Sequence, residues 1–186
     1  MNRTPLSKSL LLGKDDSLLV IIDMQERLLP VMAESERVLE NVIKLIKFSN
    51  IIGLPVVLTE QQKLGDTVPE IRQHLMNIQA ISKSEFNCFG SQNFTERIKQ
   101  LNRNSLIISG IEAHVCVAQT ALHAVPHFTT HVVSDAISSR SLHNWEVSLK
   151  RMGQQGVTIT STEMFIFELL EKAGTDIFRE VLRIVK

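Results

Sequence analysis

Short apolar runs alternate with segments of helical period along the chain. The first run, Ser17–Ile22 (SLLVII), is continuously apolar after its serine and β-branched toward its end, which is typical of a strand covered on both faces. Five later runs also have the length of strands. They are residues 55–59, 80–82, 105–109, 129–134 and 157–159.

Helical spacing fills the intervals between these runs. Val38, Val42, Leu45 and Ile46 recur every three or four residues, and Gly53 is a typical helix end. Further helices are predicted over residues 68–75, 94–101, 115–125, 141–152 and the C-terminal segment. Regular alternation of strand and helix predicts a three-layer α/β/α sandwich with a doubly wound, six-stranded parallel sheet of Rossmann-like type. We expect one domain over residues 1–186.

The balance of charge narrows the classes of partner. Lys plus Arg and Asp plus Glu both number 20, so the formal net charge is zero. No basic face is available for nucleic acid or an anionic membrane, and no apolar stretch has the length of a membrane span. Neutral proteins tolerate self-association, so we expect a homo-oligomer, a dimer or larger, without nucleic acid or membrane partners.

The cysteines and the N-terminal segment predict a cytoplasmic protein. Two cysteines, Cys88 and Cys116, do not form a disulfide framework. The first residues, MNRTPLSKSLLLGKDDS, contain only a short apolar triplet, which is too short for the core of a signal peptide.

Three ionisable residues follow predicted strands at the same end. Asp23 follows the first strand, Lys83 follows the third, and Cys116 follows the fourth after the GIEAHV turn. Because ligands of doubly wound sheets bind at the carboxyl ends of the strands, we expect the three side chains to meet on one rim.

These three residue types fit acyl transfer without a histidine base. A helix N-terminus and a nearby ammonium lower the pKa of a thiol, so Cys116 is predicted to be a thiolate nucleophile. Asp23 can act as general base, and Lys83 can hold Asp23 and the thiol in register. Backbone amides of the turn, at Glu112 and Cys116, can form an oxyanion hole.

Each of the three residues also has a structural explanation. Asp23, with Glu26 three residues later, can cap a short helix. Lys83 can be a solvated loop lysine, and Cys116 can be a small buried apolar residue. Their common position at three strand ends favours the catalytic interpretation.

Five segments, taken in order, resemble the isochorismatase-like superfamily of cysteine hydrolases, and in particular its isochorismatase domain-containing branch. The resemblance implies a triad of Asp23, Lys83 and Cys116, and a cis peptide between Ile111 and Glu112. The segments are LLVIIDMQERLLP (18–30), LPVVLTEQ (54–61), SKSEFNCF (82–89), IISGIEAHVCVAQTALHA (107–124) and VVSDAISSRS (132–141).

A metal motif of this superfamily is missing from the chain. Nicotinamidases carry D-x-H after the second strand, whereas residues 59–71 read TEQQKLGDTVPEI and the nearest histidine is His74. The resemblance therefore implies a hydrolase with no metal and no cofactor, and makes nicotinamide a poor candidate substrate.

The retained thiol indicates which bond is cleaved. Enzymes of the family that cleave isochorismate can lack the cysteine, so Cys116 favours hydrolysis of an amide-type C–N bond of a small molecule through a thioester. The alternatives are enol-ether hydrolysis of the isochorismatase type and a non-catalytic scaffold. The predicted walls of the substrate pocket are Gln25, Gln61, Phe86, Phe89 and His114.

Overall fold

The computed structural model describes residues 11–75 and 77–186. Residues 1–10, which make up most of the segment on which the absence of a signal peptide was predicted, lie outside the described residues. Among the described residues, no helix has both the length and the apolar character that a membrane span requires.

The predicted parallel sheet is confirmed. Its six strands follow the order β3-β2-β1-β4-β5-β6, and every pair of neighbours is parallel. The order reverses between β1 and β4, which makes the sheet doubly wound. The strands are β1 Ser17–Ile22, β2 Val56–Gln61, β3 Ile81–Lys83, β4 Ser105–Ile111, β5 Thr129–Ser138 and β6 Thr158–Thr160.

Seven α-helices connect and follow the strands within the described residues. The helix predicted over residues 115–125 is divided: a π-helical turn, Ala113–Val117, precedes α4. The C-terminal segment is likewise divided into two helices, and the predicted helix over 68–75 is only one turn long. The helices are α1 Ser35–Ile52, α2 Pro69–Arg72, α3 Gln92–Leu101, α4 Ala118–Ala124, α5 Leu142–Gln154, α6 Thr162–Leu170 and α7 Asp176–Val185.

The continuous apolar run of β1 feeds two separate cores. Leu19 and Ile21 pack in the cluster that includes side chains of α1, α6 and α7. Leu18, Val20 and Ile22 pack on the other face with side chains of α3, α4 and α5. All five side chains are fully buried, so β1 has no solvent face and shows no polar alternation.

Five of the six strands extend further toward the carboxyl edge than predicted, and among them β4 reaches Ile111 and β6 reaches Thr160. β2 reaches Gln61 and β3 reaches Lys83, which is therefore the last residue of its strand. β5 continues to Ser138 because its register against β4 shifts between Ile108 and Gly110. Such an irregularity inserts extra residues into one strand. It brings the end of β5 beside the end of β4, where Ile111 pairs with Ser138.

Candidate active site

The carboxyl ends of four adjacent strands form one rim. Ile22, the last residue of β1, pairs with Thr59 of β2 on one side and Gly110 of β4 on the other. Gln61 of β2 pairs with Lys83 of β3. Asp23 therefore follows β1 at the point where the strand order reverses, which is the usual ligand position of such sheets.

A left-handed backbone turns the chain across the rim at Asp23. Its φ is 53°, a region that aspartate tolerates better than most residues, and its amide donates to the Thr59 carbonyl at 3.2 Å. Gln25 holds the turn: its Nε2 donates to the carbonyls of Gln61 (2.9 Å) and Gly65 (2.6 Å), and its Oε1 accepts from the Gln61 amide (2.8 Å). The fully buried Gln25 side chain is thus committed to the backbone.

A buried ion pair occupies the centre of the rim. Lys83 Nζ donates to Asp23 Oδ2 at 2.7 Å and to Gln61 Oε1 at 2.7 Å, and it lies 3.8 Å from Cys116 Sγ. The side chains of Asp23 and Lys83 are both 0% exposed. Lys83 is therefore not a solvated loop lysine. The Asp23 carboxylate accepts hydrogen bonds from the side chains of Lys83 and Thr59 instead of capping a short helix.

The second oxygen of Asp23 also has a donor. Thr59 Oγ1 donates to Asp23 Oδ1 at 2.7 Å, and Thr59 is fully buried. Sequence reasoning missed Thr59. The available signal was a polar side chain at the end of an apolar strand, VVLT, which a parallel sheet places beside the end of another strand.

Cys116 lies in the π-helical turn between β4 and α4. The amides of Val115 and Val117 both donate to the Glu112 carbonyl, at 3.1 and 3.2 Å, and this closes the turn. The Ile111–Glu112 peptide is cis. The Cys116 residue is 6% exposed, so the thiol has only a narrow opening to solvent.

The environment keeps the thiol protonated, which corrects the prediction of a lowered pKa. Burial raises the pKa of Cys116 and the Asp23 carboxylate raises it further, while Lys83 opposes them. Burial lowers the pKa of Lys83, but Asp23, Cys88 and Cys116 together outweigh burial and leave the pKa raised. The Asp23 charge partly cancels the effect of the Lys83 ammonium on the thiol. Cys116 also lies before the first residue of α4, so the N-terminus of that helix does not lower the pKa of the thiol as predicted.

We expect alkylation of Cys116 by iodoacetamide at about pH 7 to be slower than that of a free cysteine, whose pKa is about 8.5. The rate should still rise above about pH 9, because the raised pKa delays thiolate formation. Peptide mass spectrometry distinguishes Cys116 from Cys88, which is also buried and has a pKa raised to about 11 by burial. A plateau below about pH 8 would contradict this prediction.

Two polar pairs involve residues that closely precede Cys116 in the chain. Glu112 is 8% exposed, and its Oε2 accepts from Arg140 Nε at 3.0 Å and from the Arg140 amide at 3.3 Å. His114 Nδ1 lies 2.9 Å from Ser139 Oγ. Both contacts join the start of the π-helical turn to the segment that follows β5. Because β5 extends to Ser138, this segment lies at the rim.

The two predicted aromatic walls differ in their surroundings. Phe86, three residues after Lys83, is 54% exposed. The Phe89 ring stacks on His123 with centroids 4.9 Å apart and packs edge-on against Phe94 at 5.1 Å. The packing therefore favours a structural role for Phe89 against α3 and α4, while Phe86 remains free to contact a ligand.

The described residues contain no group of three or more His, Cys, Asp or Glu side chains that could hold a metal ion. At the rim, the Asp23 carboxylate is already engaged by the Lys83 ammonium and the Thr59 hydroxyl.

Comparison with known proteins gives consistent matches over most of the chain. The family model for the isochorismatase domain matches residues 17–164. The secreted isochorismatase effector Isc1 of Phytophthora sojae is 32% identical over 179 residues, which are 91% of this chain and 84% of the relative. Isochorismatase domain-containing protein 2B of Mus musculus is 32% identical over 176 residues, 92% of this chain and 82% of the relative.

Solved structures share the fold over nearly the whole length. The MAR1 ribonuclease of Caenorhabditis elegans has a TM-score of 0.88 at 30% identity, covering 94% of this chain and 92% of its own. The YcaC gene product of Escherichia coli, described as an octameric hydrolase of unknown specificity, has a TM-score of 0.86 at 24% identity, covering 97% and 89%. The chain belongs to the isochorismatase family of hydrolases, among the isochorismatase domain-containing proteins.

Proposed function

We propose that this hydrolase cleaves an amide-type C–N bond of a small molecule through a thioester on Cys116. The observation that carries the proposal is the position of Lys83 Nζ, 2.7 Å from Asp23 Oδ2 and 3.8 Å from Cys116 Sγ. Asp23, Lys83 and Cys116 are the proposed catalytic residues. A base, a cation and a nucleophile in one buried cluster are the components of covalent acyl transfer.

Acylation begins from the neutral thiol. Asp23 takes the Cys116 proton as sulfur adds to the carbonyl carbon of the substrate, so the thiolate exists only in the presence of its electrophile. The amides of Glu112 and Cys116 donate to the resulting oxyanion. Protonated Asp23 then gives its proton to the departing nitrogen, the C–N bond breaks, and ammonia or an amine leaves with the thioester formed.

Deacylation reverses these roles with water. Asp23 takes a proton from water, the oxygen adds to the thioester carbon, and the C–S bond breaks. Sulfur regains the proton from Asp23, and the acid product leaves. Lys83 enters the cycle as an ammonium, because Asp23, Cys88 and Cys116 together raise its pKa against the effect of burial, and it stabilises the negative charge on Asp23 or on sulfur beside it.

A purely structural role accounts less well for the cluster. Replacing a buried ion pair by apolar residues of similar volume is often neutral or stabilising, so fold stability alone gives little reason for burying Asp23 and Lys83 beside a thiol. A binding scaffold has no need of all three groups.

The test is a panel of small amides assayed for release of ammonia or amine, followed by intact-protein mass spectrometry of a slow substrate. We expect turnover and a mass increase equal to the acyl group on Cys116. Cleavage of isochorismate, or of RNA, with no amide hydrolysed would overturn the proposal. Complete inactivity across the panel would favour the scaffold alternative and would also overturn it.

We expect activity without a metal ion. The chain lacks the D-x-H motif, and the proposed steps need only protein groups. Dialysis against a chelator should leave kcat unchanged within about twofold, where a lost metal would cost orders of magnitude. Activity that disappeared on dialysis and returned with zinc or manganese would contradict this.

We also infer a homo-oligomer in a reducing, cytoplasmic environment. The zero net charge and the octameric state described for YcaC support assembly, and the two free, buried thiols support the compartment. Light scattering at micromolar concentration should give a mass of at least two chains. A mass near 21.0 kDa would contradict the inference.

A further inference from the structure

β2 supplies no proposed catalytic residue, but its side chains contact both members of the ion pair. β2 lies between β1, which leads to Asp23, and β3, which ends at Lys83. Thr59 and Gln61 are two residues apart on β2, so their side chains share one face of the sheet. Thr59 reaches Asp23 and Gln61 reaches Lys83 on that face.

The Thr59 hydroxyl leaves the Asp23 carboxylate little freedom to rotate. Thr59 Oγ1 holds Oδ1 at 2.7 Å while Lys83 Nζ holds Oδ2 at 2.7 Å, so both oxygens are fixed and with them the carboxylate plane. Lys83 Nζ, which holds Oδ2, also lies 3.8 Å from Cys116 Sγ, so the thiol is close to the carboxylate. A carboxylate that takes a proton from sulfur must present a lone pair along a defined direction, and two fixed oxygens meet that requirement.

Gln61 acts on the cation in the same way. Its Oε1 accepts from Lys83 Nζ at 2.7 Å, and its Nε2 donates to the Ser84 carbonyl at 2.8 Å. Both ends of the amide are engaged, which fixes the amide orientation and places the acceptor toward Lys83. Gln61 was predicted as a pocket wall, but its polar atoms are directed at the lysine and the backbone.

We propose that Thr59 and Gln61 are positioning residues, which orient Asp23 and Lys83 so that the carboxylate receives the proton of Cys116. The proposal rests on the proposed thiol hydrolysis. Kinetics can tell this role of Gln61 from a contact with the substrate. Loss of a positioning residue misplaces catalytic groups and lowers kcat, whereas loss of a substrate contact raises KM.

The first experiment compares Thr59→Val with Thr59→Ser on an amide that the wild type hydrolyses. Valine keeps the shape and removes the hydroxyl, and we expect kcat to fall about 10- to 100-fold with KM unchanged within about twofold. Serine keeps the hydroxyl and should restore kcat to within about threefold of wild type. The matched control is Thr130→Val, on the buried start of β5, whose hydroxyl donates to the Phe128 carbonyl at 3.1 Å.

The control separates positioning from a general loss of stability. Thr130→Val removes a similarly buried hydroxyl away from the rim and should leave kcat unchanged, whatever it does to the melting temperature. Unchanged kcat in Thr59→Val, or a Thr59→Ser variant as slow as Thr59→Val, would overturn the role of Thr59.

Gln61→Met tests the second residue with a side chain of similar length and no amide. We expect kcat to fall about 10-fold with KM unchanged within about twofold. A raised KM with kcat unchanged would assign Gln61 to substrate binding and overturn its positioning role.

A measurement without substrate makes this inference separable from the proposed function. Iodoacetamide reacts with the thiolate, and Cys116 is protonated at about pH 8, so its alkylation rate depends on how readily the sulfur proton is transferred to Asp23. We expect alkylation to slow several-fold in Thr59→Val, to recover in Thr59→Ser and to be unchanged in Thr130→Val. Equal rates in all variants would overturn the inference. If alkylation follows this pattern but Cys116→Ala still hydrolyses the amide, the covalent mechanism fails and the positioning stands.

Discussion

Replacing Cys116 by alanine should lower kcat at least about 1000-fold while the protein remains folded. The thiol supplies the only proposed bond to the substrate carbon, and its replacement removes one buried atom from a turn that backbone hydrogen bonds close at Glu112. Asp23→Asn should reduce kcat nearly as much, because an amide cannot take the thiol proton, and residues that act as a unit give non-additive losses.

The measurements are kcat, KM and the urea unfolding curve of each variant. Ser148→Ala, which removes one buried oxygen from α5 away from the rim, is the matched control and should retain full turnover. The double variant Cys116→Ala with Asp23→Asn should be no slower than Cys116→Ala alone. Turnover by Cys116→Ala at more than about a tenth of the wild-type rate would exclude covalent catalysis by this residue.

Gly110→Ala should destabilise the protein by at least about 3 kcal/mol or prevent folding. A Cβ at Gly110 would lie 2.0 Å from the Ile22 carbonyl oxygen, 2.6 Å from its nitrogen and 2.8 Å from its carbonyl carbon. These are backbone atoms of the adjacent strand, so no side-chain rotation relieves the overlap. The φ of 108° adds strain for any residue with a side chain.

Two glycine variants isolate the cause of this loss. Gly53→Ala tests positive φ alone, because Gly53 has φ 69° and nothing within 4 Å of the added carbon, and it should cost about 1 kcal/mol. Gly13→Ala has neither a positive φ nor a neighbour within 4 Å and should be nearly neutral. Urea unfolding gives the free energy of each. A Gly110→Ala variant no less stable than Gly53→Ala would show that β1 and β4 separate easily at the rim.

This close approach of β1 and β4 links stability to the site. Ile22 pairs with Gly110, and the next residue after Ile22 is Asp23. Any outward shift of β1 from β4 therefore moves the carboxylate relative to the turn that carries Cys116. A partly folded Gly110→Ala variant should lose turnover out of proportion to its remaining folded fraction.

The layered architecture can be predicted from the pattern of apolar and polar residues. A run such as SLLVII, apolar at every position after its serine, occurs where a strand is covered on both faces. The helical spacing of Val38, Val42 and Leu45 gives α1 an apolar side, which packs against such a sheet. The parallel order then follows from the alternation of strands and helices, because each crossover places the next strand in the same direction. The same rule brought Asp23, Lys83 and Cys116 to one rim.

The hydrogen-bond partners and the charge states of these residues can be read only from the folded structure. Thr59 and Gln61 lie far from Asp23 and Lys83 in sequence, and their hydrogen bonds depend on strand register, which local periodicity does not encode. The pKa of Cys116 is raised by burial and by the Asp23 carboxylate and is lowered by the Lys83 ammonium. The direction of the net shift therefore depends on how deeply the thiol is buried and how close these two charges lie. The extension of β5 required the shifted register with β4. The pattern of apolar and polar residues determines which face of the sheet and which end of a strand a residue occupies. Its hydrogen bonds and its charge state depend on side chains of neighbouring strands that lie within a few ångströms.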